Sequence, residues 1–187
     1  MTNTYKSNDK TQLTAHFNVK EFRCKCGQNH DTIINPELPN KLEQLYKKLN
    51  CSKIIINSGY RCINHDKAVG GSGAGHHVYG NAADIVCYDQ SNNKISSKKV
   101  SCIAQDIGFG GIANIDSSYT ATHVDVRQNN FWRGDEVKTT AYSVTDNFYK
   151  YYGLSKSDVY PTTTTNKNIS ITLTIEGKMY SGTLSEK

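Results

Sequence analysis

Gly75-His76-His77-Val78-Tyr79-Gly80-Asn81-Ala82-Ala83-Asp84-Ile85-Val86-Cys87-Tyr88 is the stretch that decides how the chain reads. Its first half is poor helix and good loop; from Asn81 onward it has strand character. Alternate side chains of a strand share a face, so Asp84 points with Ala82 and Val86 and away from Ala83, Ile85 and Cys87. An unpaired carboxylate in so apolar a strand would cost several kcal/mol (roughly), so Asp84 needs a cation. With His77 seven residues before it, a metal ion fits better than a lysine.

A second strand offers the third ligand. In Tyr119-Thr120-Ala121-Thr122-His123-Val124-Asp125-Val126-Arg127, Val124 and Val126 face a core, while His123, Asp125 and Arg127 face the other way. Two histidines and one aspartate make a zinc set of the catalytic kind, with a fourth position left to water. The plainer alternative is a loop histidine at 77 and a hydrogen-bonded strand histidine at 123.

The order His77-x-x-Gly80-x-Ala82-x-Asp84, preceded by Ser58-Gly59-Tyr60-Arg61 and Gly70-Gly71 and followed by Thr122-His123-Val124, resembles the zinc D-Ala-D-Ala carboxypeptidases, the M15 peptidases, whose fold hedgehog signalling domains share. The resemblance runs from about residue 15 to Phe131-Trp132. It implies an α+β fold, a small antiparallel sheet with flanking helices. It also implies Zn2+ held by His77, Asp84 and His123, with Arg61 binding a substrate carboxylate. Two departures stand out. Gly75 occupies a position where the family usually has serine, and Thr120 stands where many members carry an acidic base. The catalytic base is therefore open between Asp125, on the His123 face, and Asp116 upstream; Asp125 is the first choice. The alternative role for Asp125 is a salt bridge or a bond to a ligand histidine.

With 187 residues, the chain is one ordinary domain plus an appendage. No run reaches transmembrane length. A net charge of +5, without a basic stripe interleaved with aromatics, is no nucleic-acid signature and sits more naturally beside an anionic wall polymer. The polar N-terminus lacks a signal-peptide pattern. The expectation is synthesis in the cytoplasm and action on the cell wall after lysis or by non-classical export, as in a phage lysin. A reducing site of synthesis would leave Cys24, Cys26, Cys51, Cys62, Cys87 and Cys102 as thiols. Cys87 and Cys102 read as small core residues. Cys24-Lys25-Cys26 with His30 is a weak second metal candidate, because it lacks the wider gap and the second ligand pair of structural zinc sites.

Along the chain, residues 1–14 read as a flexible arm and 15–160 as the peptidase domain. Leu38, Leu42, Leu45 and Leu49 mark one helix face, and Lys53-Ile54-Ile55-Ile56 a buried strand. Ser97 to Ile107 reads as a helix capped by Ser97 and Gly108. The aromatic run 137–152 reads as a docking helix or, less simply, a sugar-stacking surface. Residues 161–166 read as a linker and 167–187 as a β-hairpin for self-association or wall attachment, which allows a homo-oligomer. The function this reading predicts is a zinc metallopeptidase cutting peptidoglycan stem peptides, as carboxypeptidase or endopeptidase. The competing class is a non-catalytic zinc-containing module that binds cell wall or protein.

Overall fold

The computed structural model describes residues 2–137, 147–160, 169–175 and 178–184. Its centre is a five-stranded sheet in the order β3-β4-β6-β5-β7, formed by Lys53–Ser58 (β3), Ala82–Tyr88 (β4), Gly111–Asn114 (β5), Thr122–Asp125 (β6) and Trp132–Asp135 (β7). The β3-β4, β4-β6 and β6-β5 pairs are antiparallel, as expected; β5 and β7 run parallel. The fold class is therefore α+β, with one parallel edge that the sequence did not announce. Trp132-Arg133-Gly134-Asp135 has no apolar alternation to betray a strand.

One face of the sheet is covered by helices. Helix α1 (Glu37–Lys48) buries Leu38, Leu42 and Leu45, and Pro36 and Pro39 fall at its N-terminal cap and first turn, where a missing N–H costs nothing. Helix α3 (Ser97–Ile107) buries Val100, Ile103 and Ala104. Its C-terminus closes on Gly108 at φ 86, a left-handed cap that glycine adopts without strain. The N-cap is Ser96, one residue before the expected Ser97. Ser97 is instead fully buried and receives a hydrogen bond from the Thr122 hydroxyl at 3.0 Å. Between the two helices and the sheet lies a core of Ile54, Ile56, Ala83, Ile85, Cys87, Cys102, Ile112, Val124 and Val126 with the helix residues. The alternation read from residues 82–88 is the alternation observed, and it turns Asp84 and His123 to the opposite face.

Two short elements frame that face. A two-stranded sheet pairs Asn3–Tyr5 (β1) with Thr32–Ile34 (β2), so part of the segment expected to be a flexible arm is ordered by strand pairing. Helix α2 (Ile63–Ala68), unforeseen in the sequence, starts directly after Arg61-Cys62. Gly80, at φ 68, passes so close to Ile33 that a Cβ would lie 2.2 Å from its carbonyl oxygen, so the chain enters β4 where only glycine fits.

Helix α4 (Phe148–Tyr152) docks on α3 through fully buried Phe148, whose backbone N–H donates to Gln105. Helix α5 (Lys156–Val159) follows. The rest of the expected aromatic helix, 138–146, and the linker 161–166 lie outside the described residues. The expected hairpin forms from Ile169–Ile175 (β8) and Lys178–Leu184 (β9), paired antiparallel. No helix among the described residues is long and apolar enough to cross a membrane.

Candidate metal centre and cleft

The site is built by strand register. Asp84 on β4 and His123 on β6 are direct cross-strand partners, so both side chains leave the same face at the same height. His77 reaches them from the loop before β4. Asp84 Oδ1 lies 2.9 Å from His123 Nδ1 and 3.2 Å from His77 Nε2, and the two ring nitrogens are 3.3 Å apart.

The remaining atoms of these three side chains are all spoken for. His77 Nδ1 donates to the Gly59 carbonyl at 2.7 Å, which leaves its Nε2 lone pair directed at the cluster. His123 Nε2 bonds Asp125 Oδ2 at 3.3 Å, leaving Nδ1 directed the same way. Asp84 Oδ2 accepts from Arg61 Nη2 at 2.5 Å. Three acceptor atoms thus converge on one point with their tautomers fixed from behind. This donor set fits a divalent ion of the zinc type held by two imidazoles and a carboxylate. Burial alone would raise the Asp84 carboxyl, but hydrogen bonds from His123 and His77 hold it well below the usual carboxylate range. Burial likewise opposes charge on His123, and its bonds to Asp125 and Asp84 outweigh this, raising it to about 9.

Asp125 stands apart from the convergence point. It is fully buried, at the opposite ring nitrogen of His123, and its two oxygens are occupied by Arg127 Nε (2.8 and 2.9 Å), Arg127 Nη2, the Arg127 backbone N–H (3.0 Å) and His123. Gly111 makes room for it: a Cβ there would fall 2.0 Å from Asp125 Oδ2. Asp116, the alternate base, caps its own turn, accepting from the backbone N–H groups of Thr120 (2.7 Å) and Ala121 (2.8 Å) and from the Thr120 hydroxyl (2.9 Å). Thr120, standing in the position of an acid, serves that turn.

Arg61 does come to the site. A register shift in β3 between Ile56 and Ser58 precedes the turn that carries it, and Ser58 Oγ accepts from its Nε at 2.7 Å. Asp66 on α2 meets its Nη1 at 3.4 Å and also accepts the Gly73 N–H at 2.9 Å, tying the glycine-rich loop to the same arginine. Gly71 lies against this carboxylate, where a Cβ would meet it at 2.2 Å. The loop is therefore packed around Asp66 rather than free.

These residues line a cleft of about 540 Å3 together with His76, Arg127, Trp132 and Glu136. Glu136 was not singled out by sequence reasoning. It sits at the end of β7, an edge that is itself invisible in the sequence, and nothing in its neighbours marks it. Its exposed carboxyl is lifted above its ordinary value, first by loss of solvent on the cleft side and then by the charge of Asp84, with His123 pulling the other way. His76 lines the same cleft; its Nδ1 is buried without a partner among the described residues, and burial keeps the ring below its ordinary pKa.

The fold is an α+β domain whose cleft floor gathers two histidines and an aspartate in an arrangement that could hold a metal ion. The family model for Peptidase M15 matches residues 15–125, and the chain belongs to that family. The match ends at Asp125, so β7, Trp132 and Glu136 lie beyond it, although the resemblance was expected to extend to Trp132. Family membership implies a hydrolase acting on peptide bonds. Among curated proteins no match was found.

Proposed function

We propose that this chain is a zinc-dependent peptidase that hydrolyses a peptide bond in peptidoglycan stem peptides. The observation that carries the reading is the convergence of His77 Nε2, Asp84 Oδ1 and His123 Nδ1, within 2.9–3.3 Å of one another, at the floor of an open cleft. When bound there, zinc supplies Lewis acidity, polarising a scissile carbonyl and bringing the acidity of a water near neutral pH.

The protein's own groups do the rest. Glu136, a cleft carboxylate with no ion pair among the described residues, takes a proton from the attacking water and returns it to the leaving amine; its raised pKa helps it hold that proton in between. Asp125 keeps His123 in the tautomer that presents Nδ1 and serves as positioning residue, not as base. Arg61 neutralises Asp84 from behind, and its remaining N–H groups face a substrate carboxylate. Arg127 adds a second guanidinium to the cleft wall, 5.5 Å from the Trp132 ring centre, suiting the anionic end of a stem peptide. Such a substrate places the work outside the membrane, as in a lysin-like enzyme.

The test is digestion of purified peptidoglycan with mass spectrometry of the released fragments. New peptide termini should appear, vanish on chelation and return with added zinc. A zinc-loaded protein that binds walls yet yields no new termini would instead define a non-catalytic wall-binding module.

A further inference from the structure

Beside the Arg61 turn, outside the cleft, lies a cluster that peptide hydrolysis does not use. Cys24, Cys26, His30 and Cys62 each contribute one ligand atom, and all four atoms lie within 4.8 Å of one another. We propose that these residues form a second metal site, a closed Cys3His zinc centre with a structural role, independent of the His77-Asp84-His123 centre.

The spacing Cys24-x-Cys26 with His30 lacked a fourth ligand in the sequence. The fold supplies it from 38 residues away: Cys62, the N-cap of α2, comes so close that its backbone N–H donates to Cys24 Sγ at 3.3 Å. Tetrahedral zinc places its sulfur and nitrogen ligands roughly 3.5–3.8 Å apart, so the four atoms need only a small contraction or adjustment to close on an ion. Cys26 Sγ and His30 Nε2 are already 3.0 Å apart.

Three further features favour thiolates holding a cation over thiols packed as small hydrophobes. Each sulfur accepts a backbone N–H: Cys24 from Cys62, Cys26 from Gln28 at 3.4 Å, and Cys62 from His65 at 3.4 Å. The left-handed turn at Gly27, φ 78, brings the Gln28 N–H back to Cys26. His30 Nδ1 donates to the Asp31 carbonyl at 3.1 Å, which fixes the tautomer and leaves Nε2 free to ligate. None of the three cysteines is tied up by a disulfide, since all six cysteines of the chain are free. Soft sulfur ligands with one imidazole and no carboxylate select zinc over magnesium or calcium, and four protein ligands leave no open position for substrate.

The consequence is mechanical. Arg61 is bonded through the chain to Cys62, so an ion gripping Cys62 and the 24–30 loop pins the turn that carries Arg61 to the metal centre. Binding at such a site adds to folding stability, because the unfolded chain has no preformed site.

Protein purified under reducing conditions should contain about two zinc ions per chain, the open centre and the closed one. His77→Ala should lose one and keep the thiolate-bound one; Cys26→Ser and His30→Ala should do the reverse. Titrating the wild-type holoprotein with an organomercurial should release one zinc while leaving the other, a readout that survives even if a cysteine variant fails to fold. Replacing the metal of His77→Ala by Co2+ should give thiolate-to-cobalt charge transfer in the near ultraviolet. One zinc per chain that the mercurial does not release, or an intact mass two hydrogens short from a disulfide within this cluster, would overturn the proposal. Because His77→Ala and the mercurial address different ions, failure here and failure of the peptidase reading are distinguishable.

Discussion

Asp84 and His123 are cross-strand partners whose Oδ1 and Nδ1 atoms stand 2.9 Å apart. Backbone register, not loop geometry, sets that distance, so the ligand pair is as rigid as the sheet. Asp84→Ala and His123→Ala should each lose the zinc of the open centre, since two remaining ligands cannot hold it. Elemental analysis after desalting checks this, with any thiolate-bound zinc counted separately by mercurial release. Retention of the non-thiolate zinc in both variants would remove the metal assignment.

Glu136→Gln and Asp125→Asn should fail differently. Loss of a general base costs about 100-fold or more in rate and should leave the metal in place, which is the expectation for Glu136→Gln. Loss of a carboxylate behind a ligand histidine costs roughly 10–100-fold in metal affinity, the expectation for Asp125→Asn. Asp116→Asn should affect neither, beyond a loosened turn. A normal rate in Glu136→Gln with a fully metal-loaded Asp125→Asn that is dead would return the base to Asp125.

Gly111 tests the same carboxylate from the other side. A methyl group there would fall 2.0 Å from Asp125 Oδ2, and Asp125 is fully buried and held by Arg127 and His123. Gly111→Ala should therefore break the Asp125–His123 contact and weaken metal binding by roughly 10-fold or more, as a direct change at Asp125 would. Competition with a chromophoric chelator measures it; unchanged affinity would mean Asp125 moves freely.

Acid stability should carry the signature of Asp106. Burial pushes its carboxyl up, but the hydroxyls of Tyr149 (2.6 Å) and Tyr160 (2.7 Å), with Lys156 nearby, bring it below its ordinary value. A carboxyl with a depressed folded pKa stabilises above the unfolded value, about 3.9, and that contribution is lost as pH falls through the folded pKa. Melting temperatures of wild type and Asp106→Asn should differ near neutral pH and converge as pH falls below the unfolded value of about 3.9 and through the lower folded pKa. A constant difference across that range would show that Asp106 acts through packing alone.

The C-terminal hairpin is the natural candidate for self-association or wall attachment, because two strands alone are marginal in water and leave open edges. A chain ended at Tyr160 should keep zinc and cleavage of soluble fragments but change in apparent mass or in binding to whole walls. Light scattering and a wall pull-down read the two. Loss of cleavage would show that the catalytic domain extends into the tail.

By itself, the sequence determined what local periodicity encodes. The alternation through Ala82–Tyr88 and Thr122–Val126 turned Asp84 away from Ala83, Ile85 and Cys87, and His123 away from Val124 and Val126; the leucine spacing of α1 and the Gly108 cap of α3 were readable for the same reason. Each depends on neighbours a few residues apart, where side-chain direction follows backbone geometry. What only the tertiary structure decided is which distant residues meet. The parallel edge strand Trp132–Asp135 carries no pattern of its own; it is fixed by pairing with β5 and by buried Asp135, which accepts from Asn114 at 3.1 Å. Glu136 reaches the cleft only because that strand does. Asp125 looked like a base because it shares a face with His123, and the fold spends its carboxylate on Arg127 and the far ring nitrogen. Cys62 joins Cys24, Cys26 and His30 through the β3 turn, a juxtaposition across 38 residues that no local spacing rule can reveal.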